Sequence, residues 1–477
     1  MPQSAAGVVD RIARALLGGQ LPLRVRCWDG SELPGPATAP TLVVRSPRAL
    51  RRLLYAPGEL GLARAYVSGD LDIEGDVYQA LALPDSLPAR PDLRLEPRVF
   101  APLVGSLARL RVLGPPPAPP PEEARLSGGL HSLRRDRSAI THHYDVGNDF
   151  YRLLLGPSMV YSCAVFPTPT ATLEQAQETK LEMVCRKLAV APGSRLLDVG
   201  CGWGSLALHA AARHGASVVG VTISGAQAEL ARQRVAEAGL QEQVEIRLQD
   251  YREVADGPYD AIASVGMAEH VGHAQLPVYA AQLHRLLGPG GRVLNHAIAR
   301  GPAAGPDRPD PRSFLTRYVF PDGELQPLAR HVAMLEQAGL EVRHVEALRE
   351  NYARTCRAWV ANLEAGWDEA VRLASPGQAR VWRLYLSGAA LAFEGCRVGV
   401  NQVLAVKGEK SPVRPATTRQ DLVQPARVGP APDRAGRQRV AERPRLRPFR
   451  RQGTEWAWPA KRCRCPSGCS PAAALRW

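Results

Sequence analysis

From Ser194 onward, short apolar runs alternate with amphipathic segments of helical period, and this alternation restricts the architecture more than any other feature of the chain. The runs read as strands over RLLDV (195–199), SVVGV (217–221), QVEIRL (243–248), DAIASV (260–265), RVLNHAIA (292–299), EVRHVEAL (341–348) and VGVNQVLAV (398–406). Helix-length segments lie between them, so tight hairpins are excluded and neighbouring strands pair through crossover helices. The pattern predicts an α/β fold with a doubly wound, Rossmann-like parallel sheet covered by helices on both faces.

The first of these strands runs into DVGCGWGSLALHAA, which sets Gly200, Gly202 and Gly204 between a buried strand and a helix, with Asp198 just before them. Glycines let a backbone approach a ligand closely, and open α/β sheets bind ligands beyond the carboxyl ends of their strands. The G-x-G-x-G spacing differs from the G-x-G-x-x-G of dinucleotide sites, whose third glycine serves helix packing beside a pyrophosphate. A cofactor without phosphates is favoured, and S-adenosylmethionine leads over a nicotinamide. The second strand ends in VTIS with no acidic residue to grip a ribose, so Thr222, Ser224 or Gln227 must supply those hydrogen bonds. Asp250 is placed to accept from an adenine amine, with Tyr251 beside the ring.

The rest of the chain divides at GPPPAPPP (114–121), a stiff, extended spacer. Residues 1–113 hold an amphipathic helix candidate (Val8, Val9, Ile12, Leu16), strand-like LRVRCWDG and TLVVRS, and then helices and turns, which predicts a smaller N-terminal α+β domain. Residues 122–407 form the sheet domain. From 408 the sequence is Arg- and Pro-rich without apolar period, and it reads as a disordered tail. Its 14 Arg and 2 Lys against 5 acids leave +11 there and only +3 on the first 407 residues, so the formal charge of +14 says little about the folded body. No basic stripe interleaved with aromatics is present in the folded part, and a nucleic-acid partner is not expected. An apolar fraction of 45% suits a large core. No run reaches the ~18 apolar residues of a membrane span, and the N-terminus lacks a signal-peptide pattern, so the expected location is cytoplasmic, touching membranes from outside. The dispersed cysteines read as reduced thiols, and Cys463, Cys465 and Cys469 lack a fourth ligand, so no metal is expected.

A further set of motifs carries a family resemblance. AITHHYDVGNDFYRLLLGPSMVYSCAVF (139–166), EHVG (269–272), LNHAIA (294–299), RYVFPDGEL (317–325) and NYARTCRAWVANLE (351–364), in this order, resemble the cyclopropane-fatty-acyl-phospholipid synthases and the related mycolic acid cyclopropane synthases. PGELGLARAYVSGDLDIEGD is similar to the extra N-terminal domain of the phospholipid enzymes, and the chain also looks like relatives that make methylene- or methyl-branched fatty acids. The resemblance implies a class I methyltransferase domain that transfers a methylene group from S-adenosylmethionine to a cis double bond of a membrane phospholipid's acyl chain. It adds Tyr161 and Ser162 to the cofactor-binding residues. It also implies a bound bicarbonate as base, held by Glu269, His296, Tyr352 and the backbone at Ile298 and Cys163. The N-terminal domain is then expected to associate with lipid at the inner face of the cell membrane. Candidate docking elements are the helix at 8–17, the cluster Arg45, Arg48, Arg51, Arg52, and LRRDR at 133–137. A homodimer is a further expectation. The competing readings are a branched product and, more remotely, a methyltransferase of soluble small molecules.

Overall fold

The structure, a computed structural model, describes residues 4–17, 21–83, 104–124, 146–304, 310, 312–321 and 323–408. LRRDR, the start of the motif at 139–166 and the tail beyond 408 lie outside the described residues.

The N-terminal unit is α+β. Helix α1 (Ala5–Leu17) precedes β1 (Arg24–Cys27), β2 (Glu32–Leu33) and β3 (Thr41–Val44), then come α2 (Pro47–Tyr55), α3 (Glu59–Val67) and β4 (Leu71–Glu74). The strands order β2-β1-β3-β4, with β1 and β3 parallel. One docking expectation is corrected here. Ala5, Ala6, Val8, Val9 and Ala13 of α1 are buried in the core of this unit, so that apolar face is already covered. The arginine cluster is split: Arg52 is buried, whereas the side chains of Arg45 and Arg48 stay 51% and 64% exposed while pairing with acids. Asp70, 3% exposed, accepts from Arg48 Nε and Arg52 Nε, both at 3.1 Å, and from Ser46 and Ser68 hydroxyls. Arg45 pairs with Asp72. Arg51 donates to the carbonyls of Val112, Arg111 and Leu113, and Arg52 to that of Ala118. Arg51 and Arg52 thus hold residues 111–118 against α2, while Arg45 and Arg48 remain at the surface.

In the second domain α4 (Asn148–Leu155) and α5 (Leu173–Lys187) precede the sheet, and α5 starts on a capping box between Thr172 and Gln175. The strands are β5 (Arg195–Val199), β6 (Ser217–Thr222), β7 (Val244–Leu248), β8 (Tyr259–Val265), β9 (Leu287–Arg300), β10 (Leu340–Ala347) and β11 (Val398–Lys407). Their order is β10-β11-β9-β8-β5-β6-β7. Helices α6 (Ser205–His214) and α7 (Gly225–Glu237) follow β5 and β6. The expected doubly wound sheet is present with one difference: β11 is antiparallel and is inserted between β9 and β10. Its direction follows from the chain path. Helices α8 (Arg349–Ala365) and α9 (Pro376–Glu394) leave the carboxyl end of β10 and return there, since Leu348 N–H donates to Val400 O, so the next strand can only run back down.

Helix α3 joins the domains. Leu60, Ala63, Tyr66 and Val67 form one buried cluster with Phe314, Tyr318, Val319, Val381 and Leu384. Arg64 makes two 2.8 Å bonds to Glu123, which also pairs with Arg317. The N-terminal unit thus buttresses the segment 314–321, part of which walls the cleft described next.

Candidate active site

Val199, buried at the end of β5, leads into a turn in which Gly200, Gly202 and Gly204 have φ of 75°, 55° and 79°. L-residues rarely adopt this region, which explains the glycines. Their surroundings differ. A Cβ on Gly200 would lie 2.6 Å from Met267 Cγ, whereas one on Gly202 would meet nothing within 4 Å and faces an open cleft. On Gly204 it would approach Ala231 Cβ at 3.3 Å. Gly204 lets α6 pack on α7 and does not line the cleft, which sets it apart from the other two expected cofactor contacts.

The cleft is lined by Tyr161, Ser162, Asp198, Gly200, Gly202, Thr222, Gln227, Asp250 and Tyr251, so these sequence-derived candidates converge. Asp198 is 2% exposed, and its Oδ2 has no partner within the protein. Burial pushes its carboxyl up to about 7 against the pull of Lys180. Thr222 Oγ1 donates to Gln227 Oε1 at 2.9 Å, which fixes both at the head of α7. Asp250 differs from expectation: its carboxylate is already bound by Arg252 Nε and Nη2 at 2.8 and 2.7 Å, so an adenine amine would share an engaged acceptor. Ser162 accepts from Lys180 Nζ at 3.0 Å.

Beyond the cleft lies a second, drier group. Glu269 stands between the cleft-lining Met267 and His270, and its Oε1 accepts from Ile298 N–H at 2.7 Å. The bond reaches across to β9, which rules out a helix-capping role for this residue. It also corrects one expectation, because the Ile298 N–H is engaged by Glu269 and is not free for an anion. Glu269 Oε2 and His296 Nε2 are both buried with no hydrogen-bond partner among the described residues. Burial drives both toward neutrality, Glu269 up to about 7 and His296 down to about 3. Tyr352 is buried, stacked on Phe393 with centroids 4.5 Å apart. Cys163 is fully buried, its thiol donating to the carbonyls of Ala164 and Leu348, and desolvation holds it well above its usual range. It is therefore a neutral thiol. Tyr151, Tyr161, Trp203, Trp359 and Trp382 form a continuous aromatic wall, with centroids of successive rings 4.9 to 5.9 Å apart.

Three functional-site residues escape a reading of the sequence. Lys180 and Lys187 on α5 are buried, as is Gln402 on β11. Lys180 lies on the buried stripe of Ala176, Leu181 and Val184, a spacing at which a charged residue needs an internal partner. Gln402 interrupts an otherwise apolar strand. Burial lowers Lys180 to about 8, with Asp198 among the groups that raise it.

A family model described as mycolic acid cyclopropane synthetase matches residues 131–403. The chain is 44% identical over 419 residues to a probable fatty acid methyltransferase of Mycobacterium tuberculosis, covering 83% of this chain and 95% of that protein. It is 38% identical over 287 residues to the cyclopropane-fatty-acyl-phospholipid synthase of Escherichia coli, covering 60% of this chain and 72% of that one. Among solved structures it resembles mycolic acid cyclopropane synthase CmaA1 complexed with SAH and CTAB, with a TM-score of 0.53 and 33% identity, over 57% of this chain and 98% of that one.

Proposed function

The chain belongs to the mycolic acid cyclopropane synthetase family, with the class I fold of S-adenosylmethionine-dependent methyltransferases, and from that premise we propose that it converts a cis double bond of a phospholipid acyl chain into a cyclopropane. When bound, S-adenosylmethionine supplies an electrophilic methyl group. The residues fit it: Asp198 Oδ2 is an unpartnered acceptor in the cleft, and Gly202 leaves the cleft floor open.

Attack of the alkene π pair on that methyl would release the cofactor as a neutral thioether and leave positive charge on the acyl chain, which the surrounding residues must tolerate. A proton must then leave the new methyl so that its C–H pair closes the ring. Bicarbonate would be the base. The observation that carries this reading is the buried, unpartnered pair of Glu269 Oε2 and His296 Nε2. It asks for a small ligand that donates at one edge and accepts at another, as a hydrogencarbonate ion does. Tyr352 adds a hydroxyl to the same region. Among the described residues, Cys163 stays a neutral thiol and so does not compete for the cation, and aromatic rings line the neighbouring wall. That wall also stabilises positive charge through its ring faces.

A second reading is favoured by the extent of similarity to the probable fatty acid methyltransferase: a 1,2-hydride shift moves the cation to the carbon that carries the new methyl, and loss of a proton from that methyl then leaves a methylene branch instead of a ring. Incubation with S-adenosylmethionine and vesicles of unsaturated or fully saturated phospholipid tests both. The proposal expects activity only on unsaturated chains and ring-proton NMR signals in the product. Vinylidene signals without a ring would select the branched product, and turnover on saturated lipid would overturn both readings. Among the described residues no helix is long and apolar enough to cross a membrane. Peripheral attachment to the inner face of the membrane, and dimer formation, belong to the same proposal.

A further inference from the structure

We infer that Gln402, itself oriented by Lys187, is a positioning residue that holds His296 as an Nε2–H donor. The inference rests on the reading of His296 as an anion ligand and adds what makes it one. Glu346, Gln402 and His296 form a single cross-strand row: Glu346 is paired with Gln402 across β10 and β11, and Gln402 with His296 across β11 and β9. Lys187 enters from α5, fully buried, bonded to the Glu346 carboxylate and donating to Gln402 Oε1 at 2.7 Å. An ammonium only donates, so it fixes which end of the amide is oxygen. The other end, Nε2, faces His296 Nδ1 at 3.1 Å. An amide nitrogen also only donates, so Nδ1 must be the acceptor. A neutral imidazole has one proton, which is thereby placed on Nε2, the atom left without a protein partner. Lys180 and Lys187 both act against a second proton on the ring. The second hydrogen bond of a ligating histidine commonly sets its tautomer in this way.

The test is nitrogen NMR of the full chain with labelled histidine, together with the bicarbonate dependence of turnover. In the wild type Nδ1 should be unprotonated and Nε2 protonated from pH 5 to 8. Gln402→Glu keeps the shape but replaces the donor by an acceptor, so the proton should move to Nδ1. Nε2 then presents a lone pair to the anion, and KM for bicarbonate should rise roughly tenfold or more, with kcat at saturation changed much less. Lys187→Met is the second arm if the first variant fails to fold: it releases the amide to turn over, and an Nδ1-protonated population should appear. A wild-type proton on Nδ1, or an Nε2 proton unmoved in both variants, overturns the inference while leaving the anion reading standing. Tautomer shifts as expected with turnover indifferent to bicarbonate support the positioning role and overturn the anion reading.

Discussion

Replacing Glu269 by Gln separates what this carboxyl does for the chemistry from what it does to the fold. Its Oε1 accepts from Ile298 N–H and its Oε2 has no partner, and burial lifts it from 4.5 to about 7. At about 1.4 kcal/mol per pH unit, ionising it in the folded protein costs about 3 kcal/mol more than in the unfolded chain. Below pH 4.5 the group is protonated in both states and adds no penalty. Between 4.5 and 7 only the unfolded chain ionises, so wild-type stability falls across that window and the penalty is complete above it. Glu269→Gln keeps the oxygen that Ile298 needs and cannot ionise. The variant should exceed the wild type by under about 1 kcal/mol near pH 5 and by about 3 kcal/mol at pH 8. Its activity should nevertheless drop roughly ten- to a hundredfold, the effect of losing one hydrogen bond to a charged group. Urea unfolding in carbonate-free buffer at the two pH values, beside turnover on unsaturated vesicles, measures both. A stability difference that is the same at pH 5 and pH 8 would refute the burial argument, and full activity would remove Glu269 from the chemistry.

Gly200→Ala should abolish S-adenosylmethionine binding by calorimetry and lower Tm, because the new Cβ meets Met267 at a positive φ. Gly204→Ala should lower Tm while leaving affinity unchanged in the folded protein, since its Cβ meets Ala231 of α7 and Ile246 of β7 and lies away from the cleft. Asp70→Asn should destabilise the chain by about 3–5 kcal/mol in denaturant titration, because it strands the buried Arg52. Burial raises the Asp70 carboxyl, but bonds from Ser46, Arg52 and Ser68 outweigh it and hold it below its usual value, so its contribution should be present at neutral pH and fade in acid as pH falls through that lowered value. Removing residues 409–477 should leave turnover on detergent-dispersed lipid unchanged.

The seven strands of the large sheet were legible because each is either an apolar run or, as in β7 and β10, an apolar–polar alternation, and the glycine turn because strand, acid, glycines and helix occur in sequence. The start of β9 was not: Leu287 to Gly291 pairs as strand although GPGG reads as a turn. The reversal of β11 was also hidden, since a buried strand has the same composition in either direction. Buried charge was the main blind spot. Lys180 and Lys187 sit among Glu, Gln and Arg in LEQAQETKLEMVCRK, and only their place on the buried face of α5 distinguishes them from solvated neighbours. Arg51 and Arg52 err in the opposite sense, because Asp70 and the carbonyls of 111–118, which absorb them, come from distant sequence.

Because β11 lies between two strands that precede it in the chain, the order of synthesis bears on when the enzyme exists at all. A nascent chain that has not yet delivered Val398 holds the glycine turn, Glu269 and the aromatic wall, but β9 and β10 still present open edges, which are sticky to other strands. His296 at that stage lacks its amide partner. Arrival of a single ten-residue strand therefore both seals the sheet and supplies the partner of the histidine, so a polypeptide that already carries the glycine turn still lacks the group that orients His296.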